Sequence, residues 1–271
     1  MTENERLAAL ASLLPQGRGG LLQWPEEADS TNRVLRSLAE AGAPAGSAVL
    51  AEGQTAGRGR LGRRFASPAG KGLYLSWLLR PALPPESLGE LPAWAAVAVR
   101  RAILRTCGLS AEIKWVNDLL SRGRKLCGIL AEGVLRGGAA QSVILGIGIN
   151  VSGREEDFPP ELRETATSLL LETGAAPDRI RLAAAVLQEL ERLLGPFPRG
   201  REAVRAEYRK SCATLGRRVT LSDGTEGFAE DIDGEFALLV RLGDGSLRRL
   251  RSGEATLHRE RNIPAGGPED R

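Results

Sequence analysis

The apolar pattern of the chain changes after Leu215, and this change limits the folds that the sequence can adopt. Before Leu215, apolar strand-like segments alternate with amphipathic helical segments, which is typical of an α/β domain. After Leu215, short strand-like segments are separated by Asp-Gly turns, which is typical of a small β-barrel. The sequence therefore predicts an α/β domain over residues 1–214, a small β-barrel over 215–260 and a disordered tail over 261–271.

An arginine-rich and glycine-rich segment, AEGQTAGRGRLGRR (Ala51–Arg64), lies between two predicted strands. Arginines repel one another, so a cluster of them inside a folded domain indicates an anionic ligand. The arginine side chain is planar and binds phosphate or carboxylate with two parallel hydrogen bonds, and glycine allows the backbone to approach a ligand closely. From these residues alone, a pocket for a phosphorylated molecule, an RNA contact and a solvated loop remain open. Residues 57–65 are called the arginine loop below.

Two further segments carry charged or amide side chains beside apolar strands. In Lys114–Asp118, a strand pattern sends Lys114 and Val116 to one face and ends in Asn117 and Asp118, which suit Mg²⁺ or a ribose hydroxyl. On these residues alone, an Asn-Asp turn after a strand, which is very common, is the favoured interpretation. Lys125 precedes the apolar strand LCGIL, where it could neutralise a developing negative charge or merely flank a core strand.

Two more segments complete the set of candidate motifs. Gly146 and Gly148 alternate along an apolar strand, so one face of that strand is bare and could accept a flat ligand. The spacing is not that of a dinucleotide-binding fingerprint. Asp29–Asn32 precedes a predicted helix over 33–42, where it could cap the helix, bind a ligand, or do both.

Composition excludes several classes of protein. The 271 residues contain one histidine, His258, which argues against a Ser-His-Asp triad. The three cysteines, Cys107, Cys127 and Cys212, are too far apart for a zinc site and predict reduced thiols in the cytoplasm. A net charge of +3 is small for a dedicated nucleic-acid-binding protein. No segment reads as a signal peptide or a membrane span.

In this order, the five segments resemble the motifs of the biotin protein ligase family, the biotin–[acetyl-CoA-carboxylase] ligases. The matching segments are Asp29–Asn32, Gly57–Phe65, Lys114–Asp118, Lys125–Leu130 and Gly146–Asn150. The resemblance extends over about residues 20–260. It implies an α+β fold, in which a mixed sheet with helices resembles the catalytic domain of class II aminoacyl-tRNA synthetases. It also implies that the C-terminal β-barrel is SH3-like.

The resemblance implies a reaction in two steps. Biotin and ATP, with Mg²⁺, give biotinyl-5′-AMP, and the biotinyl group then passes to a lysine of a biotin carboxyl carrier protein of a carboxylase. It implies a cytoplasmic monomer or homodimer without a membrane partner. The segment before Asp29 is short, so we expect no DNA-binding repressor domain. The alternatives are a lipoate–protein ligase, a non-catalytic biotin sensor and a nucleic-acid-binding module. The last is disfavoured because no aromatic residue is interleaved with the arginines of the loop.

The resemblance also assigns residues by motif match. The expected biotin-binding residues are Ser30, Thr31, Asn32, Gln54, Arg58, Gly59, Arg60, Lys125 and Gly128. The expected nucleotide-binding residues are Arg60, Arg63, Phe65, Asn117, Asp118 and Asn150. Lys125, Arg58 and Asp118 are the expected catalytic residues, and Asp118 is also the expected Mg²⁺ ligand.

The chain departs from the family pattern at three positions. Phe65 occupies the position of a family tryptophan that is expected to stack on adenine, and Val116 occupies the position of a proline. Cys127 occupies a position where a small residue is usual, and we interpret it as a packing residue. Because like-charged, glycine-rich loops gain order from what they bind, we expect the arginine loop to be mobile without ligand.

Overall fold

A computed structural model of the protein describes residues 1–17, 19–80, 85–136, 139–253 and 255–257. The predicted tail (261–271), His258 and the predicted Gly137-Gly138 turn lie outside these residues. Over the described ranges the α-helices are α1 Glu3–Leu13, α2 Thr31–Glu40, α3 Leu91–Cys107, α4 Leu169–Thr173, α5 Arg179–Leu194 and α6 Arg201–Ser211. The strands are β1 Leu22–Gln23, β2 Glu27–Ala28, β3 Ala48–Ala51, β4 Gly53–Gln54, β5 Gly72–Leu79, β6 Glu112–Lys114, β7 Asp118–Ser121, β8 Arg124–Arg136, β9 Ala139–Asn150, β10 Arg218–Leu221, β11 Glu226–Ile232, β12 Leu238–Leu242, β13 Leu247–Leu250 and β14 Ala255–Leu257.

The strands form a large mixed sheet, a separate C-terminal sheet and one short strand pair. The large sheet has the order β1-β3-β5-β9-β8-β7-β6, in which only the β1–β3 pair is parallel. The C-terminal sheet, β13-β12-β11-β10-β14, is antiparallel throughout. The structure therefore confirms a mixed α/β fold with a β-structured C-terminal region.

The two faces of the large sheet are covered differently. One face packs against α3 and α5, and alternate residues of β5 and β9, such as Leu75 and Leu145, enter that main apolar core. The other face packs against α2 through a smaller cluster around Leu35 and Ile144. Because α2 covers only part of this second face, the rest of it is available to form a cavity.

Several predicted bounds differ from the observed ones. Helix α2 begins at Thr31 rather than at residue 33, so Thr31 and Asn32 lie in its first turn. The predicted strand through Val116 was wrong: β6 ends at Lys114, and a turn leads to Asp118, the first residue of β7. Side-chain alternation therefore does not place Lys114 and Val116 on a common strand face.

The C-terminal sheet packs against the main body through aromatic residues. The Phe236 ring lies at right angles to Tyr208, with centroids 5.5 Å apart, and also contacts Trp94. The Trp115 indole donates a hydrogen bond of 3.0 Å to the Phe236 carbonyl. One apolar core thus runs from the large sheet into the C-terminal sheet. No helix in the described part of the chain is long and apolar enough to cross a membrane.

The Trp115–Phe236 hydrogen bond leads to a first prediction. A Trp115→Phe substitution keeps an aromatic ring but leaves the buried Phe236 carbonyl without its donor. An unpaired buried polar group costs roughly 1–3 kcal/mol. We expect the free energy of unfolding in urea to fall by about that amount. A Leu247→Ala substitution at an exposed site of the same sheet is the control, and equal values for both variants would contradict the prediction.

Candidate functional site

An open cavity lies on the second face of the large sheet, beside α2. Its volume is about 1040 Å³, counting the part open to solvent. The walls contain all but one of the residues predicted to bind ligands: Ser30, Thr31, Asn32, Gln54, Arg58, Gly59, Arg60, Arg63, Phe65, Asn117, Asp118, Lys125 and Gly128. Segments that are up to 98 positions apart in sequence thus converge on one cavity, which is the arrangement expected of a ligand site.

The first wall is the N-terminus of α2. Ser30 is the N-cap residue, yet its hydroxyl makes no capping hydrogen bond. The Thr31 backbone N–H is instead capped from β4 by the Gln54 side-chain oxygen, at 2.9 Å. Gln54 Nε2 donates in turn to Ser67 Oγ at 2.9 Å. Ser30 lines the cavity, and because its hydroxyl is not used to cap the helix, it suits a ligand.

The second wall is the arginine loop, which forms a short hairpin. Residues Arg58 and Arg64 pair across it, and the Phe65 N–H donates to the Gly57 carbonyl at 3.0 Å. Its tip contains Leu61 and Gly62, both with positive φ. This geometry holds Arg58, Arg60 and Arg63 at the mouth of the cavity, while the mobility of the loop without ligand stays a prediction.

Arg60 joins the hairpin to two other walls. Its guanidinium donates to Asn117 Oδ1 at 2.6 Å and to the Gly253 carbonyl at 2.8 Å. Gly253 precedes β14, and Ala255 and Thr256 of that strand also line the cavity. The C-terminal sheet therefore contributes to the site, a contact across 193 sequence positions that the sequence analysis did not predict.

An ion pair lies at the end of the cavity nearest β7. The Lys125 ammonium is 2.9 Å from Asp118 Oδ2, and both side chains are partly exposed. Asn117 is held beside them by a 2.8 Å hydrogen bond from its amide to the Ile129 carbonyl. A cation and a carboxylate at the edge of a buried strand can each stabilise charge or move a proton during a reaction.

The floor of the cavity is formed by glycines of β8 and β9. Gly128 of β8 pairs with Gly148 of β9, and Gly146 lies two residues before Gly148, on the same face of β9. A Cβ atom on Gly148 would lie 2.5 Å from the Phe65 ring, and one on Gly146 would collide with Asn32. The expectation of a bare strand face therefore needs correction, because Phe65 and Asn32 cover part of that face.

Asn150 is the one predicted site residue that does not line this cavity. Its amide donates to the carbonyls of Thr167, at 2.9 Å, and Lys125, at 3.4 Å. Its side chain borders a smaller cavity, beside the ion pair of Lys71 and Asp157. In this structure Asn150 thus connects β9 to the Thr167 segment, and its contact with a nucleotide stays a prediction.

Glu132 is a residue of the site region that the sequence analysis missed. It lies on β8, where alternation from Gly128 through Leu130 places it on the cavity side. Its carboxylate accepts from Asn32 Nδ2 at 2.7 Å and is 3.1 Å from the Arg58 guanidinium. A charged residue on the otherwise apolar face of a central strand was the signal that could have identified it.

Cys127 faces the opposite side of β8 and is fully buried. Burial raises the pKa of its thiol, and the nearby Asp118 carboxylate raises it further. Since the thiolate is the reactive form, Cys127 is not suited to be a nucleophile. This agrees with its interpretation as a packing residue.

The burial of Cys127 leads to a second prediction. A Cys127→Ala substitution removes only a small buried group, so we expect stability to fall by about 1 kcal/mol and catalytic rates to stay within about twofold. Iodoacetamide at pH 8 should leave Cys127 unmodified in the folded protein, as measured by peptide mass spectrometry. Modification of Cys127 before unfolding, with loss of activity, would contradict the prediction.

Comparison with known proteins gives a consistent result. The Biotin/lipoate A/B protein ligase family matches residues 24–150. The Biotin--[acetyl-CoA-carboxylase] ligase of Mycobacterium tuberculosis is 39% identical over 223 residues, which are 79% of this chain and 80% of that protein. The bifunctional ligase/repressor BirA of Bacillus subtilis is 35% identical over 243 residues, 88% of this chain and 74% of that protein.

The fold of this chain is similar to that of a solved biotin protein ligase structure. The biotin protein ligase from Aquifex aeolicus, in complex with biotin and ATP, superposes with a TM-score of 0.75 at 32% identity. The superposition covers 88% of this chain and 99% of that chain.

Proposed function

The chain belongs to the biotin/lipoate A/B protein ligase family, and we infer that it is a biotin–protein ligase that uses ATP. The observation that supports this most directly is the convergence of the five predicted motifs on one cavity. The reaction joins the biotin carboxylate to AMP with release of pyrophosphate. It then transfers the biotinyl group to a lysine amine with release of AMP.

The first step brings two anions together, and the cavity carries the cations that this requires. We propose that Arg58 pairs with the biotin carboxylate and that Arg60 and Arg63 bind the phosphates. Lys125 would lie between the carboxylate and the α-phosphorus, where its ammonium stabilises the charge that develops during attack. Holding both reactants in one cavity supplies a large further part of the rate enhancement.

The α2 wall suits the ureido ring of biotin. This ring has two N–H donors and one carbonyl acceptor, so it needs a polar surface that can both accept and donate. Ser30, Thr31, Asn32 and Gln54 provide hydroxyl and amide groups close together. Gly128 leaves room on β8 for Lys125 and Phe65 at the cavity, because a Cβ at that position would lie 3.2 Å from Lys125 Cε and 3.4 Å from the Phe65 ring. We propose that these residues bind biotin.

The nucleotide would lie between the arginine loop and the Asn117–Asp118 turn. We propose that Phe65 stacks on adenine, that Gly59 allows the loop to approach the ligand, and that Asn150 contacts the nucleotide. In the second step the Asp118 carboxylate would orient or deprotonate the acceptor lysine.

Asp118 also suits a divalent cation. Mg²⁺ is held in ATP enzymes by one or two carboxylates together with phosphate oxygens and water. Asp118 is such a carboxylate, and no cluster of three acidic, His or Cys ligands occurs in the described part of the chain. A Mg²⁺ ion held by Asp118 and the phosphates would neutralise charge on the leaving pyrophosphate.

We propose that residues 1–214 resemble a class II synthetase catalytic domain and that 215–260 form an SH3-like barrel. The acceptor protein would be a biotin carboxyl carrier protein. The enzyme would act in the cytoplasm, as a monomer or a homodimer. We expect no DNA or membrane binding.

The transfer step is tested with a purified biotin carboxyl carrier domain, biotin, ATP and Mg²⁺. We expect ATP-dependent biotinylation of the acceptor lysine, detected with streptavidin, and none on a Lys→Arg acceptor. Labelling with lipoate in place of biotin would move the protein to the lipoate ligases. Absence of both products, with an acceptor that a known ligase biotinylates, would contradict the proposed function.

A further inference from the structure

The Glu132 carboxylate contacts the α2 wall through Asn32, yet Glu132 does not line the cavity. Its side chain is 14% exposed and lies behind Asn32, between β8 and α2. One oxygen accepts from Asn32 Nδ2 at 2.7 Å. The other oxygen is 3.1 Å from Arg58 and 3.6 Å from Arg36. Glu132 therefore contacts one buried amide and two guanidinium groups.

The contact with Asn32 determines which way this amide faces. A carboxylate accepts hydrogen bonds and does not donate them, so it pairs with the amide nitrogen and repels the amide oxygen. The oxygen of Asn32 consequently faces Ser76, whose hydroxyl donates to it at 2.5 Å. Because Asn32 is only 4% exposed, bulk water has little access to its amide nitrogen in the folded protein.

The orientation of Asn32 extends to Thr31 through Ser76. Ser76 is fully buried, and its oxygen is also 2.8 Å from the Thr31 hydroxyl. A serine has a single hydroxyl proton. Once that proton is donated to Asn32, the Ser76 oxygen can only accept, so the single proton of the Thr31 hydroxyl has two acceptors, Ser76 Oγ and, at 3.2 Å, Gln54 Oε1. Glu132 thus influences the donor and acceptor pattern of two residues that line the cavity.

The arginine contacts of Glu132 differ from its amide contact. The side chains of Arg58 and Arg36 are 51% and 35% exposed, so water can solvate them if the ion pairs are lost. Exposed ion pairs contribute little to stability. The partly buried hydrogen bond to Asn32 is therefore the contact with the larger expected consequence.

We propose that Glu132 is a positioning residue for biotin binding. By accepting a hydrogen bond from Asn32, Glu132 fixes the orientation of this amide and, through Ser76, influences the hydrogen bonding of the Thr31 hydroxyl. The acceptor atom, rather than the negative charge, is what biotin binding requires. The proposal rests on the biotin ligase function given above and adds a residue outside the cavity wall to it.

The test compares Glu132→Ala with Glu132→Gln. Glutamine has nearly the same shape and retains one oxygen that can accept from Asn32, whereas alanine has none. We expect the Glu132→Ala variant to have a biotin Kd, measured by calorimetry, and a biotin KM that are both at least tenfold higher than those of wild type. Its KM for ATP should stay within twofold of wild type. We expect glutamine to restore the biotin Kd to within threefold of wild type.

Two further variants separate positioning from general stability. Glu189→Ala removes a carboxylate of similar burial that is bonded to Arg192 on α5, away from the cavity; it should lower Tm without changing the biotin Kd. Ser76→Ala removes the hydroxyl between Asn32 and Thr31, and should raise the biotin Kd severalfold even if Glu132→Ala does not fold.

The outcomes distinguish this proposal from the proposed function. A wild-type protein that binds no biotin would overturn both. Wild-type binding with an unchanged biotin Kd in Glu132→Ala or Ser76→Ala would overturn the positioning role alone. A glutamine variant as weak as alanine would show that charge is required and would also overturn it.

Discussion

We expect the Lys125→Ala variant to lose biotin-dependent ATP–pyrophosphate exchange by a factor on the order of 10²–10³, which is typical when one transition-state-stabilising group is removed. The ammonium of Lys125 lies beside Asp118 at the edge of β8, inside the cavity. Without this ammonium, the biotin carboxylate and the α-phosphate of ATP would approach each other with one neutralising cation fewer. The loss should appear mainly in kcat, because the charge develops during attack.

The control for this variant is Lys210→Ala, which removes an exposed lysine on α6. We expect its exchange rate to equal that of wild type. The Tm of Lys125→Ala should also stay close to wild type, because the ion pair with Asp118 is partly exposed and contributes little to stability. An exchange rate within threefold of wild type would remove Lys125 from the proposed catalytic residues.

The second large effect is expected at Gly148. A valine there would suit β9 as a strand residue, but its side chain would enter the cavity floor. Its Cβ would lie 2.5 Å from the Phe65 ring, so the ring must move. A displacement of about 1 Å between reacting groups can cost on the order of 10²-fold in rate. We expect the exchange rate of Gly148→Val to fall by about that factor.

A glycine without close neighbours provides the matched control. A Cβ on Gly234 would meet no atom within 4 Å, so Gly234→Ala should leave the exchange rate unchanged. Both variants should retain the far-ultraviolet circular dichroism spectrum of wild type. If Gly148→Val folds and keeps more than a third of the wild-type rate, the glycine floor is not where the reactants bind.

The parts of the fold that depend on local pattern could be predicted from the sequence. The apolar repeat of β9 and the change of pattern after Leu215 were enough to predict a mixed domain followed by short strands. The start of α2 was placed two residues late, because its N-terminal N–H is capped by Gln54 from another strand. The turn after Lys114 was placed two residues late, because Trp115 and Val116 continue the strand pattern.

The parts of the site that depend on contacts distant in sequence could not be predicted. Nothing local to Arg60 indicates that it donates to Gly253, and nothing local to Gly148 indicates that Phe65 lies over it. Glu132 was missed for a related reason, because its partners Asn32 and Arg58 come from other elements. Motif resemblance identified residues that meet at the cavity, whereas the structure shows which groups hold them there.

In the proposed function, this cavity activates biotin as an adenylate. The most direct measurement is ATP–pyrophosphate exchange by the wild-type protein with Mg²⁺, comparing biotin, lipoate and no acid. We expect exchange with biotin and only background exchange in the other two reactions. Exchange that is absent with biotin, from a protein shown to be folded, would contradict the claim.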